Sequence, residues 1–221
     1  MIQAAKSVRE LLRRVPSLAG PFAAFDPTDV PEDPVDLFVE WLTGAVNAGI
    51  KEPHAMTLST VDPQGRPSAR VLILKNVGDD GWQFASGASG RKGKELADTP
   101  WAALTFYWPA LGRQVRVRGA VAPVSEAESA RDFLSRSVSA RAAALIAKQS
   151  ERMVNRNELD LALVRTADQV EAEPGLVSPD WTLYAVDADE VEFWQGDEQR
   201  RHIRLSYRRA DAAWTRGLLW P

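Results

Sequence analysis

Residues 68–92 read SARVLILKNVGDDGWQFASGASGRK. The run Val71-Leu72-Ile73-Leu74 has the length and branching of a buried β-strand, with Arg70 before it and Lys75 after it. A turn over Gly78-Asp79-Asp80-Gly81 leads into a second short strand, Trp82 to Ala85. The loop Ser86-Gly87-Ala88-Ser89-Gly90 then opens a helix at Arg91-Lys92 that runs to about Ala97. Small residues let backbone approach a ligand closely, and a helix N-terminus offers free N–H groups to an anion. The expectation is a phosphate cradle on which four cations converge: Arg70, Lys75, Arg91 and Lys92. The plainer alternative is a polar hairpin rim with solvated cations. A period of two sends Arg70 and Lys75 to opposite strand faces. They serve one site only if the strand twists or bulges, or if they touch different parts of a ligand.

Working outward, the 221 residues suit one well-buried domain. A net charge of −3 and a pI near 5.5 argue against a general nucleic-acid or membrane-surface role. The absence of cysteine excludes disulfides, thiolate metal sites and cysteine nucleophiles, and His54 and His202 alone make a histidine-built metal site improbable, so no metal is expected. Without a long apolar run or a signal-like N-terminus, the expectation is a soluble cytoplasmic protein. Eight tryptophans exceed what core filling usually needs and suggest aromatic surfaces for a planar ligand or a subunit interface.

Residues 1–33 form an N-terminal arm with a short amphipathic helix around Val8–Arg14 and an extended Pro- and Asp-rich part; residues 34–221 form a single domain. Asp33-Pro34 caps a helix that carries Leu37, Phe38, Trp41, Leu42 and Ala45 on one face. His54–Val61 and Pro67–Lys75 make a hairpin around Asp62-Pro63-Gln64-Gly65, and Ala102–Trp108 and Gln114–Val121 add strands. In the latter, Gln114, Arg116 and Arg118 share a polar face that marks a rim, an interface or a ligand site. Ser125 with Glu128 fits a capping box for the first of three helices reaching Glu173. Trp181–Val186, Val191–Trp194 and Trp214–Leu219 return to strand patterns. Antiparallel strands with helices gathered apart indicate an α+β fold around a small barrel.

In this order, Arg70-Val-Leu-Ile-Leu-Lys75, Ser89-Gly90-Arg91-Lys92, Arg113-Gln114-Val115, Lys148-Gln149-Ser150, Glu192-Phe-Trp-Gln-Gly196 and Arg200-x-His202-x-Arg204 resemble the pyridoxamine 5′-phosphate oxidase family of FMN enzymes. The resemblance implies an FMN-binding split β-barrel homodimer with FMN at the interface. By position it implies FMN contacts from Arg70, Lys75, Ser86, Arg91, Lys92, Gln114, Gln149, Ser150, Trp194 and Arg204. Where the family has a Tyr-Thr pair, this chain has Ala85 and Ser86, so one side-chain contact is lost. Substrate contacts are implied at Lys75, Arg136, Arg200 and His202, the last two being candidates at the reacting face, with His202 a possible proton acceptor near neutral pH. Asp132 stands where the family has a phosphate-binding tyrosine, and Ala140 where it has a serine.

Three activities are compatible with these residues. One is FMN-dependent oxidation of pyridoxine or pyridoxamine 5′-phosphate to pyridoxal 5′-phosphate by hydride transfer to flavin, with O2 as acceptor. A second is oxidation of another ring substrate, of the phenazine-precursor type, which Asp132 and Ala140 favour. The third is a protein that binds FMN or pyridoxal phosphate without turnover.

Overall fold

The structure, a computed structural model, describes residues 7–211 and 213–221; residues 1–6 of the expected arm lie outside the described residues. Helices α1 (Val8–Arg14) and α2 (Pro34–Asn47) precede strands β1 (Ala55–Val61), β2 (Pro67–Gly78) and β3 (Gly81–Gly87). Helix α3 (Arg91–Asp98), strands β4 (Trp101–Trp108) and β5 (Arg113–Pro123), and helices α4 (Glu126–Leu134), α5 (Val138–Leu145) and α6 (Arg156–Ala172) follow. The chain closes with β6 (Trp181–Gln195), β7 (Ile203–Ala210) and β8 (Ala213–Leu218).

The strands make one antiparallel sheet in the order β3-β2-β1-β4-β5-β6-β7-β8, and a further β3–β6 pairing closes β1 to β6 into a ring. This is the expected α+β split barrel with peripheral helices. One expectation is corrected: Trp181–Val186 and Val191–Trp194 are not separate strands but parts of the single 15-residue β6. The polar link continues the strand through a bulge at Asp189, which moves the inward set from Ala188 to Val191, and its charges are met by partners on neighbouring strands: Arg209 on Asp187, Arg118 on Asp189, and Arg208 on Glu190. A register shift opposite Arg118/Gly119 absorbs the bend. The tight turn before β3 needs Gly81, whose φ is +84° and whose missing Cβ would lie 2.5 Å from the Val186 carbonyl oxygen.

Helix α2 plugs one end of the ring. Asp33 accepts from the Val35 N–H at 2.7 Å and Pro34 occupies the first turn, which starts the helix where its apolar stripe faces inward. Phe38 is fully buried, its ring 4.4 Å from that of Trp82 and 4.8 Å from that of Phe106. Trp41, Trp82 and Trp108 are therefore core residues, Trp181, Trp194 and Trp214 are half-buried, and Trp101 and Trp220 are 45% and 93% exposed. The second half of the arm lies against the barrel: Tyr207 Oη donates to the Pro31 carbonyl at 2.8 Å, and Arg216 donates to the carbonyls of Val30 and Pro31. Helix α1 buries none of its residues.

Truncating the plug should open a cavity the aromatic cage cannot refill. Phe38→Ala is expected to lose about 3–5 kcal/mol in urea unfolding, whereas Val39→Ala on the exposed face should change stability by no more than about 0.5 kcal/mol. Equal midpoints for the two variants would contradict this packing role.

Candidate functional site

The loop from β3 enters α3 against a buried carboxylate. Four residues after Arg91, Glu95 returns to the same helix face, is 4% exposed, and points back at β1 and β2. Its Oε2 accepts from Thr60 Oγ1 at 2.5 Å and from Arg70 at 3.3 Å; its Oε1 accepts from Arg91 Nε at 2.7 Å and Ser68 Oγ at 3.0 Å. Arg70 also donates to Thr60 Oγ1 at 2.5 Å. Burial pushes the Glu95 carboxyl up, but the hydrogen bonds from Thr60, Arg91, Ser68 and Arg70 together hold it below the usual range. Glu95 thus anchors two arginines on one side of the helix start.

Lys92 lies on the other side. It is 6% exposed and donates to Gln149 Oε1, which also accepts from Ser86 Oγ at 3.4 Å. Burial pushes the Lys92 ammonium down and Arg70 pushes it further, against the attraction of Asp180 and Glu95. A buried ammonium bonded to an amide oxygen and repelled by a neighbouring guanidinium is short of negative charge. The helix start beside it has no side-chain cap, its N-cap being Gly90. Gly93 lets α3 pack onto the loop, since a Cβ there would collide with the Ala88 carbonyl. The Ser89 N–H, turned away, donates to Asp180 at 2.6 Å. An open cavity of about 510 Å³ lies beside the cradle, lined by Ser89, Arg91, Gln149 and Ser150 but also by the carboxylates of Asp62, Glu95, Asp98 and Glu151. This donor set suits a phosphate monoester.

The structure thus brings Arg70, Ser86, Arg91, Lys92, Gln149 and Ser150 to one end of the barrel. Of the four expected cations, Lys75 is paired elsewhere. The β2 register shifts between Leu74 and Asn76, and Lys75 Nζ meets Asp132 Oδ1 at 3.1 Å. Asp132 Oδ2 accepts from Trp181 Nε1 at 2.8 Å, and the Arg136 guanidinium lies 3.9 Å from the Trp181 ring centroid. Trp181 pairs with Gly87, so this cation–aromatic cluster adjoins the cradle.

A second group forms a cross-strand row: Gln114 on β5 pairs with Trp194 on β6, which pairs with Arg204 on β7. Arg204 grips the buried Glu192 through two bonds, at 2.8 and 3.1 Å, and donates to the Trp220 carbonyl at 2.8 Å. His202 stacks obliquely on Trp194, ring centroids 5.0 Å apart. Its Nδ1 accepts the Asp197 backbone N–H at 3.0 Å. In the tautomer that accepts this bond, Nε2 bears the ring proton and presents an N–H on the opposite side of the ring. Arg200 is exposed, and both it and Ser150 hold positive φ, +64° and +73°, a strained geometry at two loops of this site.

Sequence reasoning missed Thr60, Ser68, Glu95, Asp180, Trp181 and Glu192. Glu95 was detectable as the fourth residue after Arg91 in a helix, and Thr60 with Ser68 as a cross-strand hydroxyl pair. Because the Glu95 carboxyl is depressed on folding, its stabilisation is complete above the unfolded value of about 4.3 and is lost as pH falls through the folded value. Glu95→Gln should cost about 3–5 kcal/mol at pH 7, and the gap in Tm to the unaltered protein should narrow towards pH 3. A gap that stays constant between pH 7 and 3 would assign the acid sensitivity to other groups.

Residues 42–170 match the family model described as Pyridoxamine 5′-phosphate oxidase, and residues 181–221 match the Pyridoxine 5′-phosphate oxidase C-terminal dimerisation region. The chain is 45% identical over 197 residues to the pyridoxine/pyridoxamine 5′-phosphate oxidase of Thermosynechococcus vestitus, covering 88% of this chain and 92% of that protein. It is 41% identical over 189 residues to the protein of the same name from Rubrobacter xylanophilus, covering 86% and 87%. Among solved structures, PhzG from Burkholderia lata 383, in complex with tetrahydrophenazine-1-carboxylic acid, superposes with a TM-score of 0.84 at 30% identity over 91% of this chain and 100% of that one. A pyridoxamine 5′-phosphate oxidase-related, FMN-binding protein from Nostoc punctiforme shares the fold, with a TM-score of 0.68 at 20% identity over 86% and 98%. By the extent of these matches, the chain belongs to the pyridoxamine 5′-phosphate oxidase family.

Proposed function

We propose that this protein is an FMN-dependent oxidase of pyridoxine and pyridoxamine 5′-phosphate, yielding pyridoxal 5′-phosphate. The observation that carries the reading is the buried Lys92 ammonium, short of a counter-charge, beside an uncapped helix start and two arginines anchored by Glu95. A flavin phosphate supplies the missing negative charge there. The curated relatives named above carry the activity in their names, at 41% and 45% identity. Held there by Arg70, Arg91 and Lys92, FMN would supply a hydride acceptor for the carbon bearing the substrate's alcohol or amine, with O2 as the final electron acceptor.

This chain's residues bind and orient. Arg70, Arg91, Lys92, Ser86, Gln149 and Ser150 hold the phosphate end of the cofactor. Gln114, Trp194 and Arg204 form the row that a second subunit presents to it in a homodimer assembled through the region at residues 181–221. Arg200 and the Nε2–H of His202 face the ring substrate, and Lys75 and Arg136 hold its anionic group. Residues 34–221 act as the single catalytic domain, with residues 1–33 as its N-terminal arm. Among the described residues no helix is long and apolar enough to cross a membrane, and the reading places the enzyme in the cytoplasm. A second reading, oxidation of another ring substrate, is favoured by one observation, the Lys75–Asp132 ion pair.

FMN-loaded protein given pyridoxine phosphate or pyridoxamine phosphate should consume O2 and release hydrogen peroxide. No turnover with flavin still bound would leave the second reading. Arg91→Ala combined with Lys92→Ala removes two charge-assisted contacts and should weaken FMN binding about a hundredfold or more, read by flavin fluorescence on titrating the apoprotein. Undiminished affinity in that double variant would dismiss the cradle.

A further inference from the structure

We propose that Glu192 and the C-terminal residues 219–221 are positioning residues for the flavin: through Arg204 they fix the donor that one subunit presents to the cofactor ring held in the other. The inference rests on the reading above, in which the Gln114–Trp194–Arg204 row faces a flavin of the second subunit, and deepens it by naming what keeps that row in shape. An arginine carries much rotamer freedom, which a ligand contact from a loose side chain must first remove. Arg204 is restrained in advance. Its Nε donates to Glu192 Oε1 at 2.8 Å and its Nη2 to Oε2 at 3.1 Å, a two-point grip that sets the guanidinium plane. Its Nη1 donates to the Trp220 carbonyl at 2.8 Å, and the Leu219 N–H donates to the Arg204 carbonyl at 2.9 Å, so tail and side chain hold one another. Among the described residues these bonds leave one N–H on each Nη without a protein partner.

Glu192 is itself immobilised. It is 4% exposed, pairs across the sheet with Arg116 on β5 and Ser206 on β7, and accepts from Arg116 Nη1 at 3.3 Å. Two guanidiniums around one carboxylate leave this corner with a single net positive charge. The bonds to Glu192 push the Arg204 guanidinium up, against its burial, so it stays charged and its remaining N–H groups suit an electron-rich acceptor such as a ring carbonyl. The arrangement repeats that of the cradle: buried Glu95 fixes Arg70 and Arg91 for the phosphate end of the cofactor, and buried Glu192 fixes Arg204 for the ring end. The tail is the part that the cradle lacks. Terminal residues ordinarily fray, yet Trp220 is pinned by its carbonyl while its side chain stays in solvent, so within one chain its order comes from Arg204 and not from packing of its own.

The test titrates full-length apoprotein with FMN and with riboflavin, which lacks the phosphate, following flavin fluorescence, with the dimer measured by sedimentation at the same concentration. Glu192→Gln, and separately a chain ending at Leu218, should each raise the Kd of both flavins about tenfold or more and leave the ratio of the two Kd values unchanged, with the dimer intact. Loss at the phosphate cradle, as in Arg91→Ala with Lys92→Ala, instead changes that ratio. Arg204→Ala should weaken both flavins likewise, and adding Glu192→Gln or the shortened tail to it should cost less than about a further twofold, because both act through Arg204. Losses that add in full to that of Arg204→Ala, flavin binding by both altered chains equal to that of the unaltered protein, or a loss that disappears once higher protein concentration restores the dimer, overturn the proposal alone. If Arg204→Ala leaves both flavins bound as before, the placement of the row falls and the proposal with it, while O2 consumption with the B6 phosphates tests the oxidase reading separately. Should Glu192→Gln fail to fold, the shortened chain decides.

Discussion

Strand β6 is the constraint from which the architecture follows. Its first residues pair with β3, a long middle stretch pairs with β5, and its last residues pair with β7. A strand that serves three neighbours must bend, and the register shift opposite Gly119 is where it does so; a Cβ at Gly119 would collide with the Asp187 carbonyl. The same strand carries Trp181 at one end and Trp194 at the other. Ring closure therefore fixes, in one covalent stretch, both the Trp181 cluster beside the cradle and the centre of the Gln114–Trp194–Arg204 row.

The second constraint is electrostatic. A phosphate site must hold cations close together before the phosphate arrives, and like charges in a partly buried place repel. The chain answers with unequal solutions. Arg70 and Arg91 are tied to Glu95, whose remaining lone pairs are taken by Thr60 and Ser68, so the carboxylate stays ionised although buried. Lys92 is given only an amide oxygen, with Asp180 and Glu95 attracting it from further off. The network is thus preorganised on one side and short of charge on the other, which is the condition for a ligand anion to bind with gain rather than merely to replace an internal partner. Lys75 shows the contrary arrangement, since its partner Asp132 is already in place.

A similar logic holds at the far end of the sheet. Glu192 is buried between Arg204 and Arg116, and Arg204 in turn ties down the Trp220 carbonyl. The last residues of the chain are thereby held beside the Trp194 row, within the segment that matches the dimerisation region. Trp220 nonetheless remains 93% exposed in the single chain, a large apolar surface that subunit association can cover.

Much of this was legible in the residues. Alternation at Val115 and Val117 placed β5 with its polar face outward, Asp33-Pro34 marked the start of α2, and the small-residue loop before Arg91-Lys92 marked the cradle, because local periodicity, capping and backbone sterics act over a few positions. The continuity of β6 was not legible, since its charged middle looks like a loop until cross-strand arginines neutralise it. Nor was the pairing of Lys75 with Asp132, separated by most of the barrel in sequence, or the bond from the Asp197 N–H to His202 Nδ1. The sequence by itself determined the α+β class, most of the elements though neither β7 nor the continuity of β6, and the basic and small residues of the cradle but not the Glu95 network behind them. Only the tertiary structure decided which charges meet, because an ion pair depends on distances between distant segments that no local pattern encodes.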